Sequence, residues 1–233
     1  MTTDLFLITY PKDYEWLPFL FRSIDRYLTG FRKVVLVLEQ SDDAPSRLPS
    51  YVEVKRCRDY RGSPVKGYHG QCIEKLALHE HTDADRILHI DSDCVFTAPI
   101  DLQTFEYPLI CSPWNKVGDA ICWFGPTRKV LGFNPPFETM RRYPFIYPLD
   151  FHREVYDFIG GRDRLLSLLT GGMQSLSEFN ILGNYAIVKT PERFTICRSD
   201  VDKLPPLYVR QFWSHDTISK PEVKAELERM GLA

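Results

Sequence analysis

Cysteine is scarce in this sequence and shows no pairing: six residues in 233, at positions 57, 72, 94, 111, 122 and 197, with no Cys-x-x-Cys among them. That spacing argues against a zinc site or a disulfide framework. Several lie in apolar runs, as in Leu109-Ile110-Cys111 and Ala120-Ile121-Cys122, where a thiol serves as a small hydrophobe. No segment approaches the ~20 apolar residues that span a bilayer. The opening Met1-Thr2-Thr3-Asp4-Leu5 lacks a basic stretch ahead of a long apolar run, so a soluble, cytoplasmic protein without a transmembrane segment is expected. Neither sign of charge dominates. With 29 basic and 31 acidic residues the net charge is −2, so nucleic acid is not favoured as a partner, although one basic face would suffice to bind it.

Apolar residues make up 44% of the chain, enough for one substantial core. Leu5-Phe6-Leu7-Ile8-Thr9-Tyr10 reads as a buried strand broken by Pro11. From Tyr14 to Leu28 the apolar positions 17, 20, 21, 24, 27 and 28 fall at helical spacing, with Gly30 as a stop. Residues 33–38 are a second apolar run. A strand, helix, strand order with strands apolar throughout predicts a mostly parallel sheet covered on both faces by helices, an α/β fold. Tyr51-Val52-Glu53-Val54 predicts a short third strand, residues 71–81 a helix, 86–90 a central strand and 108–111 another. Beyond Ser112 the texture turns aromatic and proline-rich, with no clean linker. One domain of two halves is expected, 1–110 and 111–233. In the second half, 150–160 and 162–170 read as helices, Ser177–Lys189 as a helix despite Gly183, 193–198 and 207–213 as short strands, and 221–230 as a final amphipathic helix.

The chain is organised around Ile87-Leu88-His89-Ile90-Asp91-Ser92-Asp93, where an apolar run ends in two carboxylates one residue apart. Carboxylates held close repel unless a proton or cation lies between them. All-oxygen ligation suits Mg2+ or Mn2+. Ligands bind at the carboxyl ends of parallel strands. Four expected strand ends carry polar or aromatic groups there: Thr9-Tyr10, Glu39-Gln40, Asp91-Ser92-Asp93 and Ser214-His215.

From Gly67 to Pro99 the sequence resembles the metal-dependent nucleotide-sugar glycosyltransferases of the GT-A fold. The stretches Gly67-Tyr68-His69-Gly70-Gln71, Lys75-Leu76 and Ile87 to Phe96 carry the likeness, as the family's helix and Asp-x-Asp strand. The resemblance implies a single GT-A-like, Rossmann-related domain in which residues 1–110 bind the nucleotide-sugar donor and 111–233 the acceptor. Asp91 and Asp93 would hold Mn2+ or Mg2+ on the diphosphate of a donor expected to be a UDP-sugar, with Ser92 beside the nucleotide. Gln71 and Lys75, one helical turn apart, would face the nucleotide, Tyr10 would stack on its base, and Thr9 or Asp13 would hydrogen-bond it. His215, in Trp213-Ser214-His215, is similar to a histidine that completes the metal shell. Lys220 would reach the diphosphate, although its spacing from His215 is one residue shorter than in the glycogenin-like branch and that branch's glycine is missing.

Gly171-Gly172-Met173-Gln174-Ser175-Leu176-Ser177-Glu178 resembles the family's glycine-containing loop and the acidic residue after it. In inverting members that carboxylate is the general base, so Glu178 is the candidate catalytic residue. Ser175-x-x-Glu178 is also a capping-box pattern. The acceptor hydroxyl is expected on a glycan or lipid-linked glycan, and Arg141-Arg142 beside aromatics is the only hint of an anionic acceptor. Two further readings stay open. Asp91-Ser92-Asp93-Cys94-Val95 fits the opening motif of haloacid-dehalogenase phosphatases with Asp91 as nucleophile, and the aromatics fit a non-catalytic carbohydrate-binding protein.

Overall fold

The computed structural model describes residues 1–60, 65, 67–140, 143–212 and 218–232. Trp213, Ser214 and His215, and also Arg141 and Arg142, lie outside the described residues. The chain forms two compact units that interleave in sequence. The first comprises residues 1–58, 84–105 and 206–233, the second 59–83 and 106–205.

In the first unit the strands are, in chain order, β1 (Thr3–Ile8), β2 (Leu28–Thr29), β3 (Val34–Glu39), β4 (Val52–Cys57), β5 (Arg86–His89), β6 (Cys94–Phe96) and β7 (Ile100–Asp101). Four of them make a parallel array in the order β4-β3-β1-β5. Every residue of β1, β3 and β5 is buried, as strands covered on both faces require. Asp4, fully buried within β1, is compensated by two hydrogen bonds from Arg32, at 2.9 and 2.7 Å. Helix α1 is Leu17–Tyr27 and not the longer helix expected from Tyr14. Pro18 has no N–H for the Tyr14 carbonyl, so residues Pro11–Trp16 close as a 3-10 turn and the α-helix starts afresh with proline in its first turn. Its apolar face, Leu17, Leu20, Phe21 and Ile24, is buried. Two short pairings complete the unit's strands: β2 with β7, and β6 antiparallel to a later strand, Val209–Gln211.

The second unit contains β8 (Leu109–Cys111), β9 (Phe145–Pro148) and β10 (Ile196–Arg198), so Val209–Gln211 is β11. Its helices are α2 (Gly67–Leu76), α3 (Phe124–Leu131), α4 (Leu149–Phe158), α5 (Gly161–Thr170) and α6 (Glu178–Lys189). A final helix, α7 (Pro221–Arg229), belongs to the first unit, where Val223 and Leu227 pack in one cluster with Trp16, Val95 and Phe212.

Helix α6 is buried on nearly every side, the signature of a central helix. Its two buried asparagines are satisfied by the segment 137–139: Thr139 N–H donates to Asn180 Oδ1 at 2.8 Å, and Asn184 Nδ2 donates to the Phe137 carbonyl at 2.8 Å. Gly183 lets that segment come close, since a Cβ there would lie 2.3 Å from Thr139 Oγ1. On α2, fully buried Glu74 accepts hydrogen bonds from Tyr60 Oη at 2.5 Å and from Arg162, and meets His81 at 3.2 Å. Burial opposes its ionisation, but the bonds from His81 and Tyr60 and the Arg162 charge outweigh it and hold the carboxyl below its ordinary value.

Candidate functional site

Strand order defines where a ligand would meet the first unit. From β1 the chain moves to β3 and β4 on one side, then returns to β5 on the other, so the order reverses between β1 and β5. At such a reversal the strand ends diverge and open a crevice at the carboxyl edge. The register pairs Phe6 with His89, which carries Thr9-Tyr10 and Asp91-Ser92-Asp93 out of adjacent strands at that edge.

The acidic turn is braced along its backbone. Ile90 N–H donates to Phe6 at 3.1 Å, Cys94 N–H to Asp91 at 3.1 Å and Phe212 N–H to the Asp93 carbonyl at 2.8 Å. At the last residue of β6, Phe96 N–H donates to Ser23 Oγ on α1 at 3.0 Å. Gln211 Nε2 lies 3.4 Å from Asp93 Oδ1. Asp93 and Ser92 are each 7% exposed, while Asp91 is half-buried.

Asp13, carried by the 3-10 turn after β1, is a third carboxyl at this edge. Burial raises its pKa, Lys12 lowers it, and the Asp91 and Glu15 charges raise it again. Thr9 is fully buried, and its hydroxyl has no hydrogen-bond partner among the described residues. Tyr10 is half-buried and caps the turn that supplies Asp13, whose N–H donates to the Tyr10 carbonyl at 2.9 Å. Sequence reasoning took Asp13 for a base contact; only the turn geometry shows its electrostatic coupling to Asp91. Gln211 escaped the sequence altogether, because a glutamine ending a short strand carries no motif.

Among the described residues no group of three or more His, Cys, Asp or Glu is arranged to hold a metal ion. The acidic turn supplies oxygen donors of the kind a hard cation takes, but not a complete ligand set. The expected third ligand, His215, is outside the described residues. Lys220 is half-buried at the N-cap of α7, ahead of Pro221.

In the second unit, Gln71 is half-buried on α2, and Lys75 one turn later is buried against Glu178. Lys75 Nζ donates to Glu178 Oε1 at 2.8 Å, with 5% and 4% of the two side chains exposed, and lies 5.0 Å from the centre of the Phe179 ring. Glu178 Oε2 is buried without a hydrogen-bond partner among the described residues. Cys72 is fully buried on the same helix and donates to the Leu176 carbonyl at 3.5 Å; burial first, then the Glu178 charge, raise its pKa well above that of a free thiol. The capping-box expectation for Ser175 is corrected. Ser177 is the N-cap, accepting from Asn180 N–H at 3.2 Å, and Glu178 is the first residue of α6. A carboxylate there also meets the positive end of the helix dipole.

Compared with protein-family models and with curated proteins, the sequence matches none.

Proposed function

We propose that this chain is a glycosyltransferase of GT-A type that moves a sugar from a nucleoside-diphosphate donor, expected to be a UDP-sugar, to an acceptor hydroxyl. The observation that carries the reading is the acidic turn Asp91-Ser92-Asp93 at the carboxyl edge of β5, beside the end of β1 at the reversal of strand order. A parallel α/β sheet that binds nucleotides does so at this place. Asp91 and Asp93 would hold Mn2+ or Mg2+, whose chemistry is to neutralise charge on the departing diphosphate. Thr9 would offer its hydroxyl to the nucleotide, and Tyr10 a ring to its base. The braces from Phe212 and Ser23 fix the turn before any ligand arrives, which removes an ordering cost from binding.

The role of general base for Glu178 is a separate part of the proposal. It is supported by the division of labour between its oxygens: Lys75 binds Oε1, while Oε2 has no hydrogen-bond partner among the described residues. Burial of the pair equally supports a purely structural role, and the double variant described in the Discussion separates the two.

Thermal unfolding with UDP, GDP or ADP, each with and without Mn2+, tests the donor assignment on wild type and Asp93→Asn. The expected result is a metal-dependent shift with one diphosphate, about 2.7 kcal/mol at a ligand concentration 100 times Kd, lost in the variant. Asparagine keeps the size of the side chain and removes its charge. Absence of a shift with every nucleotide would overturn the reading.

A further inference from the structure

β8 and β10 run parallel, pairing Ile110 with Cys197 and Cys111 with Arg198. The ladder continues one step, with Ser199 N–H donating to the Cys111 carbonyl at 2.9 Å, so Ser112 and Ser199 leave the two strands side by side. Their hydroxyls are 2.6 Å apart. Ser112 is further pinned by reciprocal backbone bonds with Glu138, at 2.8 and 2.9 Å. Past these carboxyl ends lies a cavity of about 470 Å³, within the size range of small-molecule sites. Its walls are apolar, from Ile110, Val117 and Leu204, and its polar groups are the two serine hydroxyls and Lys116.

Charge decides what would fit. Among the described lining residues Lys116 is the only charged one, and none is a carboxylate. The acidic side chains just beyond Ser199 are engaged elsewhere: Asp200 Oδ2 pairs with Arg198 at 3.0 Å, and Asp202 Oδ2 accepts Arg198 N–H at 2.6 Å. We propose that this pocket binds a small amphipathic anion, a hydrocarbon body bearing one phosphate or carboxylate. The anion meets Lys116 and the pinned serine hydroxyls, and the hydrocarbon lies against Ile110, Val117 and Leu204. The inference does not rest on the transferase reading, since every residue it uses belongs to the second unit and none to the acidic turn.

The test is an amide chemical-shift titration of the full chain with hexyl phosphate and hexanoate, and with hexanol and inorganic phosphate as the separated halves of the ligand. Saturable changes at Ser112, Lys116 and Ser199 are expected with hexyl phosphate or hexanoate, and the tighter of the two names the head group. Lys116→Gln should weaken binding at least about tenfold, the worth of a charge-assisted hydrogen bond. Leu204→Glu should abolish it. Both positions are exposed, and unchanged unfolding temperatures would show that the variants keep the fold. The proposal is overturned if neither anion gives a saturable change. It is equally overturned if hexanol binds as well as the anions and Lys116→Gln changes nothing.

Discussion

Glu178→Gln isolates the worth of one buried ion pair. Wild type holds the Lys75 ammonium and the Glu178 carboxylate 2.8 Å apart with about a twentieth of each side chain in contact with water. Glutamine keeps the shape and still accepts a hydrogen bond, but it takes the Glu178 countercharge away from a buried ammonium. Breaking a buried pair from one side costs about 3–5 kcal/mol. The Phe179 ring, 5.0 Å from Nζ, offsets part of that, about 0.5–2 kcal/mol. Loss of the negative charge from the first turn of α6 adds about 0.3–1 kcal/mol. The expected net is about 2–5 kcal/mol, and at about 2–4 °C per kcal/mol for a chain of this size the melting temperature should fall by about 4–20 °C. Lys75→Met should cost a similar amount, because it strands the carboxylate. The double variant Lys75→Met/Glu178→Leu replaces both charges with apolar groups and should lie within about 1 kcal/mol of wild type. Urea unfolding of the four proteins closes the cycle. A cost below about 1 kcal/mol for both single variants would refute the argument that the pair is desolvated and mutually dependent. The same double variant addresses function: if it folds and transfers sugar at the wild-type rate, Glu178 is not the base.

Two further predictions concern the second unit. His152 is fully buried, and burial first, then the nearby His79, push its pKa down to about 3. The unfolded chain takes up this proton near pH 6.5, so the group's full contribution is present above that pH and is lost as pH falls toward about 3, at up to about 1.4 kcal/mol per pH unit. His152→Phe keeps a ring beside Tyr147 and should flatten the urea-midpoint profile between pH 6.5 and 4.5; parallel profiles for the two proteins would contradict the assignment. Gly183→Ala should destabilise by about 1–3 kcal/mol, because the new methyl collides with Thr139 where asparagine hydrogen bonds hold the backbone against α6. A loss under about 0.5 kcal/mol would show that segment 137–139 is free to retreat.

Runs of apolar residues determined the main elements: β1 and β3 lie where unbroken Leu, Ile and Val predict strands buried on both faces, and α4, α5, α6 and α7 fall on the expected segments to within a few residues. The carboxylates of the acidic turn were legible for the same local reason, since a strand that ends in Asp-x-Asp announces its own exit. Helix α3 and strand β9 were hidden by the aromatic and proline-rich texture of their stretch, where no single period dominates. Spacing to Glu178 points to Ser175 as the cap that begins α6, and only the folded backbone selects Ser177. Partnership across long separations was beyond the sequence altogether. Lys75 meets Glu178 across 103 residues and Gln211 meets Asp93 across 118. Asp13 senses Asp91 because a 3-10 turn carries it back to the edge of β1. The sequence sets each residue's charge and the period of its element, whereas the environment that makes a charge costly or useful comes from segments distant along the chain, brought together only when the core closes.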